Sequence, residues 1–530
     1  MISVCDLLTI EYIYQLFVIN MSEIFKFNLI IIGGGCSGLS TALHLLKQNF
    51  PGTIGLIEAR NRLGGRIWTM KTKIEEKKIE IGANWIHGII NNPIYELLYQ
   101  KRIIDSNIES NNSIHNIQAK ICQNGDDIDT VWIRKVYDVY SSTLKKASRF
   151  NNNDDDGETL KEIQFYNDSM GKYIDAEINK WIENELMAID SDQSITHRTI
   201  IRSLFDSLIK RETCISGCNS MDDVSLQYFD QYKEYLGPHI TIPLGYDSLI
   251  NVLLDDIEEI DLDQNRFQYF LDSPVRKICW PGLSRKSVEN IADDSYPIRI
   301  ECSNGMIFEC KHLVLTITLG CLKKYVKENF FEPPLPEYKI KCINRMGIDI
   351  VDKIFMEYSS KSTIFDVFTK DGVTIDEMML LWNDYDDDDY DDGSIVDKTT
   401  ETNESDHSKP WYKKIYSIYR ISDHFIQLWI SGNEARILEQ LNENEINEQL
   451  TKQFRRIFRN PQFPMADNVI VTRWGMDPFS FGSYSFIHKH SSPDDIEKLS
   501  KPIYLQPNDE LVCIRSSFLQ FLLFLFSSHI

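Results

Sequence analysis

The chain has 530 residues, with 56 Lys+Arg against 79 Asp+Glu and a formal net charge of −23. Hydrophobic residues make up 42% and aromatics 11%, which supports packed cores in two or three domains and excludes wholesale disorder. The acidity excludes a basic nucleic-acid footprint and suits a cationic substrate, although most of the charge reads as solubilising surface.

Residues 1–26 read as an extension. Asp6 and Glu11 interrupt its apolar stretch and no basic residue precedes them, a poor signal peptide. Residues 27–32 (FNLIII) are a continuous, β-branched run that predicts a buried parallel strand. Leu39, Ala42, Leu43 and Leu46 then recur at helical spacing, and Thr53 to Ile57 reads as a second strand ending at Glu58. Asn151 to Glu158 and Asp384 to about Ser408 are polar, low-complexity insertions; Asp384 to Asp392 alone holds seven aspartates. Leu313 to Ile317 predicts another buried strand, and residues 441–458 carry helical periodicity. Eleven cysteines, an odd number without a CxxC pair, predict free thiols in a reducing compartment. No run reaches the roughly 20 apolar residues of a membrane helix, so the expectation is a cytoplasmic protein, monomeric by default, without a membrane or nucleic-acid partner and without a metal.

The chemistry begins at Gly33-x-Gly35-x-x-Gly38. The first glycine permits a tight turn, the second lets backbone approach a pyrophosphate, and the third lets helix and strand pack closely. Ser37 sits at the helix N-terminus, where free N–H groups favour phosphate. Glu58 lies 20 residues past Gly38, placed to accept from a ribose hydroxyl. Strand, glycine turn, helix, strand and acid together predict a dinucleotide site. Arg60, Arg62, Gly64, Gly65 and Arg66 follow at once and offer guanidinium forks and backbone N–H groups to the same pocket. Then come Gly82, Ala83, Asn84, Trp85 and His87.

With those residues, and with Ser220–Leu226 (SMDDVSL), Ile242–Tyr246 (IPLGY), Pro274–Ile278 (PVRKI), Val314–Gly320 (VLTITLG), Asp352–Phe355 (DKIF) and Trp474–Ser485 (WGMDPFSFGSYS), the chain resembles the flavin-dependent amine oxidases. Within that family it is most similar to the animal polyamine oxidases, closest to the spermine-oxidising members, over roughly residues 27–510. The resemblance implies non-covalent FAD, polyamine and O2 as substrates, and hydride transfer from the amine α-carbon to flavin, with H2O2 and an aldehyde as products. It implies an α/β fold: an FAD-binding Rossmann-like domain from 27–89, 238–320 and 468–513, and a mixed-sheet and helical substrate domain from 90–237 and 321–467. By the same likeness Glu58 and Arg66 meet the ribose and phosphate, the Val275 backbone meets the adenine, and Gly82 to Trp85 line the isoalloxazine with Trp474 beside the cofactor. His87 faces substrate, Lys353 holds a water at flavin N5, Tyr484 is one wall of an aromatic cage, and Ser225 assists specificity. Read without that likeness, Lys353 between Val351 and Ile354 is a strand residue turned to solvent, and Trp85 and His87 are ordinary structural side chains.

One departure stands out. The family closes with a Gly-Glu, a histidine–tyrosine turn and a glycine-led helix under the flavin, whereas residues 514–530 are an apolar tail without them. The expectation is therefore a truncated FAD segment, from a truncated or misread end or from lost catalysis. The alternative function is a catalytically inactive amine-oxidase fold acting as a binding protein. A chromatin amine oxidase is disfavoured, because neither its long helical insertion nor its accessory helical domain is present.

Overall fold

The computed structural model describes residues 24–105, 117–151, 157–186, 191–231, 235–262, 265–281, 295–370, 372–382 and 410–503. The acidic insertion at 384–408, the strand start at 511–513 and the apolar tail at 514–530 lie outside these residues.

In chain order the strands of the first part are β1 (Ile24–Ile32), β2 (Ile54–Ile57), β3 (Thr69–Lys71), β4 (Lys78–Glu80), β5 (Ile117–Ile121), β6 (Phe267–Phe270), β7 (Val275–Cys279), β8 (Ile298–Cys302), β9 (Ile307–Leu315) and β10 (Phe331–Glu332). Those of the second part are β11 (Gly347–Asp349), β12 (Val351–Glu357), β13 (Thr369–Lys370), β14 (Val373–Thr374), β15 (Glu377–Leu381), β16 (Ser417–Ser422), β17 (Phe425–Ser431), β18 (Asn468–Val471) and β19 (Tyr484–Phe486).

Two sheets organise the protein. The first has the order β10-β7-β8-β9-β1-β2-β6. Its β9-β1-β2-β6 half is parallel, as a βαβ winding requires, and β7-β8-β9 is an antiparallel meander. Helix Cys36–Lys47 packs with helix Asp247–Asp261 on one face through Leu39, Leu43, Leu46, Leu249 and Leu253. A separate core fills the other face around Ile300, Phe308 and Leu315. Coverage on both faces explains why Leu29 to Ile32 are all buried and apolar. The second sheet has the order β18-β12-β17-β16-β15-β5 and is antiparallel except for β15 with β5. The mixed α/β class and the Rossmann-like half match the expectation.

Pairing shifts three of the expected boundaries. Residues 24–26 belong to β1, because they pair with Ile307–Glu309 of β9. β10 hydrogen-bonds to β7, so Phe331–Glu332 sits in the first sheet rather than with 321–467. β18 pairs with β12, so Asn468–Val471 sits in the second sheet. Hydrophobic pattern predicts that a strand exists, and only long-range pairing decides which sheet receives it.

The two faces of the second sheet differ. Ile354, Met356, Met378, Leu380, Ile418, Ile426, Leu428 and Ile430 point into one apolar core. Helix Glu443–Ile457 closes that core with Ile446, Leu450, Phe454 and Ile457. A capping box at Asn442 and Glu445 starts this helix. The opposite face carries Lys353 and meets helix Ser191–Ser216, whose Ser207 hydroxyl donates to the Tyr416 carbonyl at 3.0 Å.

Candidate active site

The glycine turn leaves β1 and enters helix Cys36–Lys47. Gly33 has φ +111°, and a Cβ there would meet Thr316 Oγ1 at 2.7 Å. A Cβ on Gly38 would sit 2.0 Å from the Gly33 carbonyl oxygen. Both glycines are therefore required by the protein's own packing. Gly35 is different: its φ is −78°, and its Cβ would meet nothing closer than 3.9 Å. The fold does not need a glycine there, but a phosphate approaching the backbone does. No side chain caps this helix, so its first N–H groups point unfilled toward that approach.

These elements open on a cavity of about 260 Å³ lined by Gly35, Ser37, Glu58, Arg66, Ala83 and Val275, among others. Glu58 is 4% exposed; its two oxygens accept from Gly34 N at 2.7 Å and Arg60 N at 2.8 Å. Fixed in this way, the carboxylate presents its remaining lone pairs to the cavity, as a ribose diol requires. Gly64 bridges to Gly35 and Gly65 lies against it, bringing the second glycine pair to the same wall. The cradle, the acid and the uncapped helix end fit the diphosphate and ribose of FAD.

The arginines divide. Arg60 reaches the cavity wall and pairs with Asp477 and Ser480. Arg66 lines the cavity, donates to the Ser483 carbonyl, and is held below the usual guanidinium range by burial. Arg62 turns away: it donates to the carbonyls of Leu63, Gly65 and Ile67 and stacks on Trp68. Burial lowers it to about 10. It ties down its own loop rather than meeting the cavity.

Lys353 is 3% exposed, so the solvent-facing reading from sequence fails. Its Nζ donates to the carbonyls of Glu80 and Gly82, each at 2.7 Å, and lies 4.5 Å from the Trp429 ring centroid. Burial pulls it down to about 7, opposed by the Glu80 carboxylate. Gly82 is held close to the chain, since a Cβ there would lie 1.8 Å from the Arg66 carbonyl oxygen. Lys353 therefore joins the segment Gly82–Trp85, whose Ala83 lines the cavity, to the second sheet. Asn84 and Trp85 are half-buried beside it. Trp474 packs with Ile79, Ile81 and Phe355, and its backbone N–H donates to Asp352 Oδ1 at 3.1 Å.

Tyr484 donates its hydroxyl to the Cys214 carbonyl and packs on Cys214, Val351 and Tyr416 together with Trp429 and Tyr419. Gly217, with φ +69°, makes room for it: a Cβ there would lie 2.3 Å from the Tyr484 ring. Trp429 and Tyr419 are aromatic neighbours of Tyr484 that sequence reasoning missed. The alternation Phe425, Gln427, Trp429, Ser431 was the available signal, since it places all four on one face.

His87 is exposed, and its Nδ1 lies 3.3 Å from Nδ1 of His239. The Ile86–Ile240 bridge, with both backbone hydrogen bonds made, sets these two histidines opposite each other. Ser225 is the outlier. It is fully buried, donates to Asp168 Oδ2 at 2.8 Å and accepts from Tyr228 N at 3.2 Å. Its hydroxyl is spent on a turn, and it does not line the cavity. Among the described residues no group of three or more His, Cys, Asp or Glu side chains could hold a metal ion, and no helix is long and apolar enough to cross a membrane.

Residues 36–512 match the flavin containing amine oxidoreductase family. The peroxisomal N(1)-acetyl-spermine/spermidine oxidase of Bos taurus is 26% identical over 491 residues, 89% of this chain and 86% of that protein. Its Homo sapiens counterpart is 25% identical over the same shares. Probable polyamine oxidase 5 of Arabidopsis thaliana is 22% identical over 522 residues, 90% of this chain and 88% of that protein. Among solved structures, a triple mutant of putrescine oxidase redesigned in cofactor binding aligns with a TM-score of 0.55 over 93% of both chains. At 12% identity that likeness bears on the fold alone.

Proposed function

The chain belongs to the flavin-containing amine oxidoreductase family and is an FAD-dependent amine oxidase with non-covalent cofactor, and from that premise we propose that it oxidises polyamines. The substrate is spermine or an acetylated spermine or spermidine. The overall reaction takes amine, O2 and water to aldehyde, a shorter amine and H2O2. The observation that carries this reading is Lys353, a buried amine bonded to the Gly82 carbonyl between the dinucleotide cradle and an aromatic wall.

Bound FAD supplies the two-electron acceptor at this place. Gly35, Ser37, Glu58 and Arg66 would hold its diphosphate and ribose, and Val275 its adenine end. The chain's own residues do the rest. A cationic amine does not readily release hydride, so the reacting nitrogen must be neutral. Tyr484, Trp429 and Tyr419 supply apolar walls that disfavour its charged form. Lys353, poised near neutrality, can hold a water or take a proton without carrying a fixed charge. His87 at the rim is proposed to meet the substrate chain. In this reading the FAD-binding unit is built on the first sheet and the substrate unit on the second. The free cysteines among the described residues fit a reducing setting, and the compartment proposed is the cytoplasm. Cell fractionation tests that setting, since the mammalian relatives are named peroxisomal.

The test is an absorption spectrum of the full chain, followed by anaerobic spermine or N1-acetylspermine. Flavin bands that bleach, with stoichiometric H2O2 after air is admitted, are expected. A colourless protein, or bands that neither amine bleaches, would sink the proposal.

A further inference from the structure

Ile86 and Ile240 exchange both backbone hydrogen bonds, at 2.8 and 3.0 Å, and both are buried in one core. The next pair along these two antiparallel segments is His87 opposite His239. It is a non-hydrogen-bonded pair, the kind whose Cα atoms stand only about 4.5 Å apart, and it points away from the core. His87 is exposed and His239 half-buried. The backbone beyond is pinned as well. The Leu236 carbonyl accepts from Ile89 N at 3.0 Å and Ile90 N at 2.9 Å, and Asn92 Nδ2 donates to the His87 and Gly88 carbonyls at 3.3 and 2.9 Å. Gly88, with φ +67°, lies so close to Tyr235 that a Cβ would meet its carbonyl oxygen at 1.9 Å. Two imidazoles are therefore held opposite each other on a rigid piece of backbone that faces solvent.

Their mutual geometry is that of two ligands to one ion. The Nδ1 atoms are 3.3 Å apart and the ring centroids 5.1 Å. Zinc–imidazole bonds of about 2.0–2.1 Å at a tetrahedral angle put two nitrogens about 3.3–3.4 Å apart and their ring centres about 5.2 Å. A straight N–H···N bond of the same length would separate the ring centres by about 5.6 Å. Without an ion, one Nδ1 donates to the other. With an ion, both rings carry the proton on Nε2 and turn both Nδ1 lone pairs on the metal. His488 and His490 also stand close, with ring centroids 5.0 Å apart, but are not arranged in this way. There the His488 Nδ1 lone pair already accepts from the His490 backbone N–H at 3.1 Å. Imidazole nitrogen suits zinc, copper and nickel, and the tetrahedral spacing selects zinc among them. Two protein ligands, with water completing the shell, make a reversible site rather than a structural one.

We propose that His87 and His239 form a reversible two-histidine site for a divalent transition-metal ion, zinc by its spacing, and that the bound ion competes with the cationic substrate. The competition rests on the polyamine-oxidising reading, in which His87 meets the substrate chain; the site itself does not. Bound zinc takes the His87 nitrogen and adds two positive charges where a polycation must pass.

The experiment titrates zinc chloride into the FAD-loaded full chain by calorimetry and repeats spermine kinetics at several zinc concentrations. Wild type should bind one zinc at this pair, and His87→Phe and His239→Phe should each weaken binding at least about tenfold. His488→Phe should leave the titration unchanged. Flavin absorbance reports folding of each variant, and His239→Asn serves where the phenylalanine variant lacks flavin. At zinc ten times its Kd, KM for spermine should rise about tenfold with kcat unchanged. In His239→Phe, compared with its own zinc-free rate, KM should not move. Absence of zinc binding, or binding that both histidine variants leave intact, would overturn the site and leave the 3.3 Å contact as a hydrogen bond only. Zinc held by the pair without a rise in KM would overturn the competition. Flavin that spermine does not bleach overturns the underlying reading instead, and the calorimetry still decides the site.

Discussion

The second sheet is one set of strands with two unlike faces. Toward helix Glu443–Ile457 it presents Ile354, Met356, Leu428 and Ile430, all fully or nearly fully buried and all apolar. Toward helix Ser191–Ser216 and the dinucleotide cradle it presents Lys353, Gln427, Ser417 and Glu377, equally buried and all polar. Alternation along each strand makes this possible without cost to pairing, because neighbours one residue apart point to opposite faces. The apolar face holds the sheet together. The polar face places chemistry at fixed positions on that rigid support, and carries the desolvation penalty of doing so.

Substitutions on the two faces should separate stability from activity. The largest effect is expected from Lys353→Met, which should slow anaerobic flavin reduction at least ~100-fold, by loss of the group proposed to handle the proton. Its melting temperature should hold or rise, since a buried amine is removed; stopped-flow absorbance and thermal melts check the two halves. Ile354→Ala, one residue along and facing the other way, should do the reverse. It should cost about 2–5 kcal/mol in chemical denaturation while leaving the rate of the folded fraction near wild type.

The glycine loop repeats the contrast on a smaller scale. Gly35→Ala should weaken FAD binding ~10-fold or more by crowding the phosphate approach. It should cost the apo fold less than about 1 kcal/mol, because its Cβ meets nothing closer than 3.9 Å. Gly38→Ala should not fold normally, because its Cβ would strike the Gly33 carbonyl. Flavin titration beside apo-protein melts distinguishes the two.

The smallest and most gradual signature is in pH. Lys353 sits at about 7 in the fold against 10.5 as its ordinary value. Between those values the unfolded chain binds the extra proton, so this group makes stability rise with pH from 7 toward 10.5. Below 7 its burial penalty is fully present and constant. Wild type minus Lys353→Met should therefore slope by a few kcal/mol in total across that window and lie flat beneath it. A difference that is flat throughout would mean that the amine is already solvated.

The dinucleotide half was legible because its signals are local. Gly33, Gly35, Gly38 and Glu58 lie within 26 residues and obey one spacing rule. The opposite face of the second sheet was not. Gln427 and Glu377 are 50 residues apart in sequence and fall in one row, on either side of Tyr419, only through register across β16. Lys353 looked like any strand lysine, because which face of a strand is buried depends on partners the local sequence does not name. Ser225 shows the converse: a hydroxyl in a suggestive motif donates to Asp168, a residue 57 positions earlier that the motif does not contain.

The cavity wall is stitched from residues 33–37, 58–66, 273–275, 316–321 and 479–480. On a ribosome the first of these emerge long before the last. At about 5–20 residues per second, the glycine turn waits on the order of 20–90 s for Phe479 and Ser480 to be synthesised. Through that interval the nascent chain carries a half-built nucleotide cradle. The wall is complete only when Phe479 and Ser480 have joined it, so bound flavin stabilises the late, finished fold and its cellular supply bears on how much chain reaches that form.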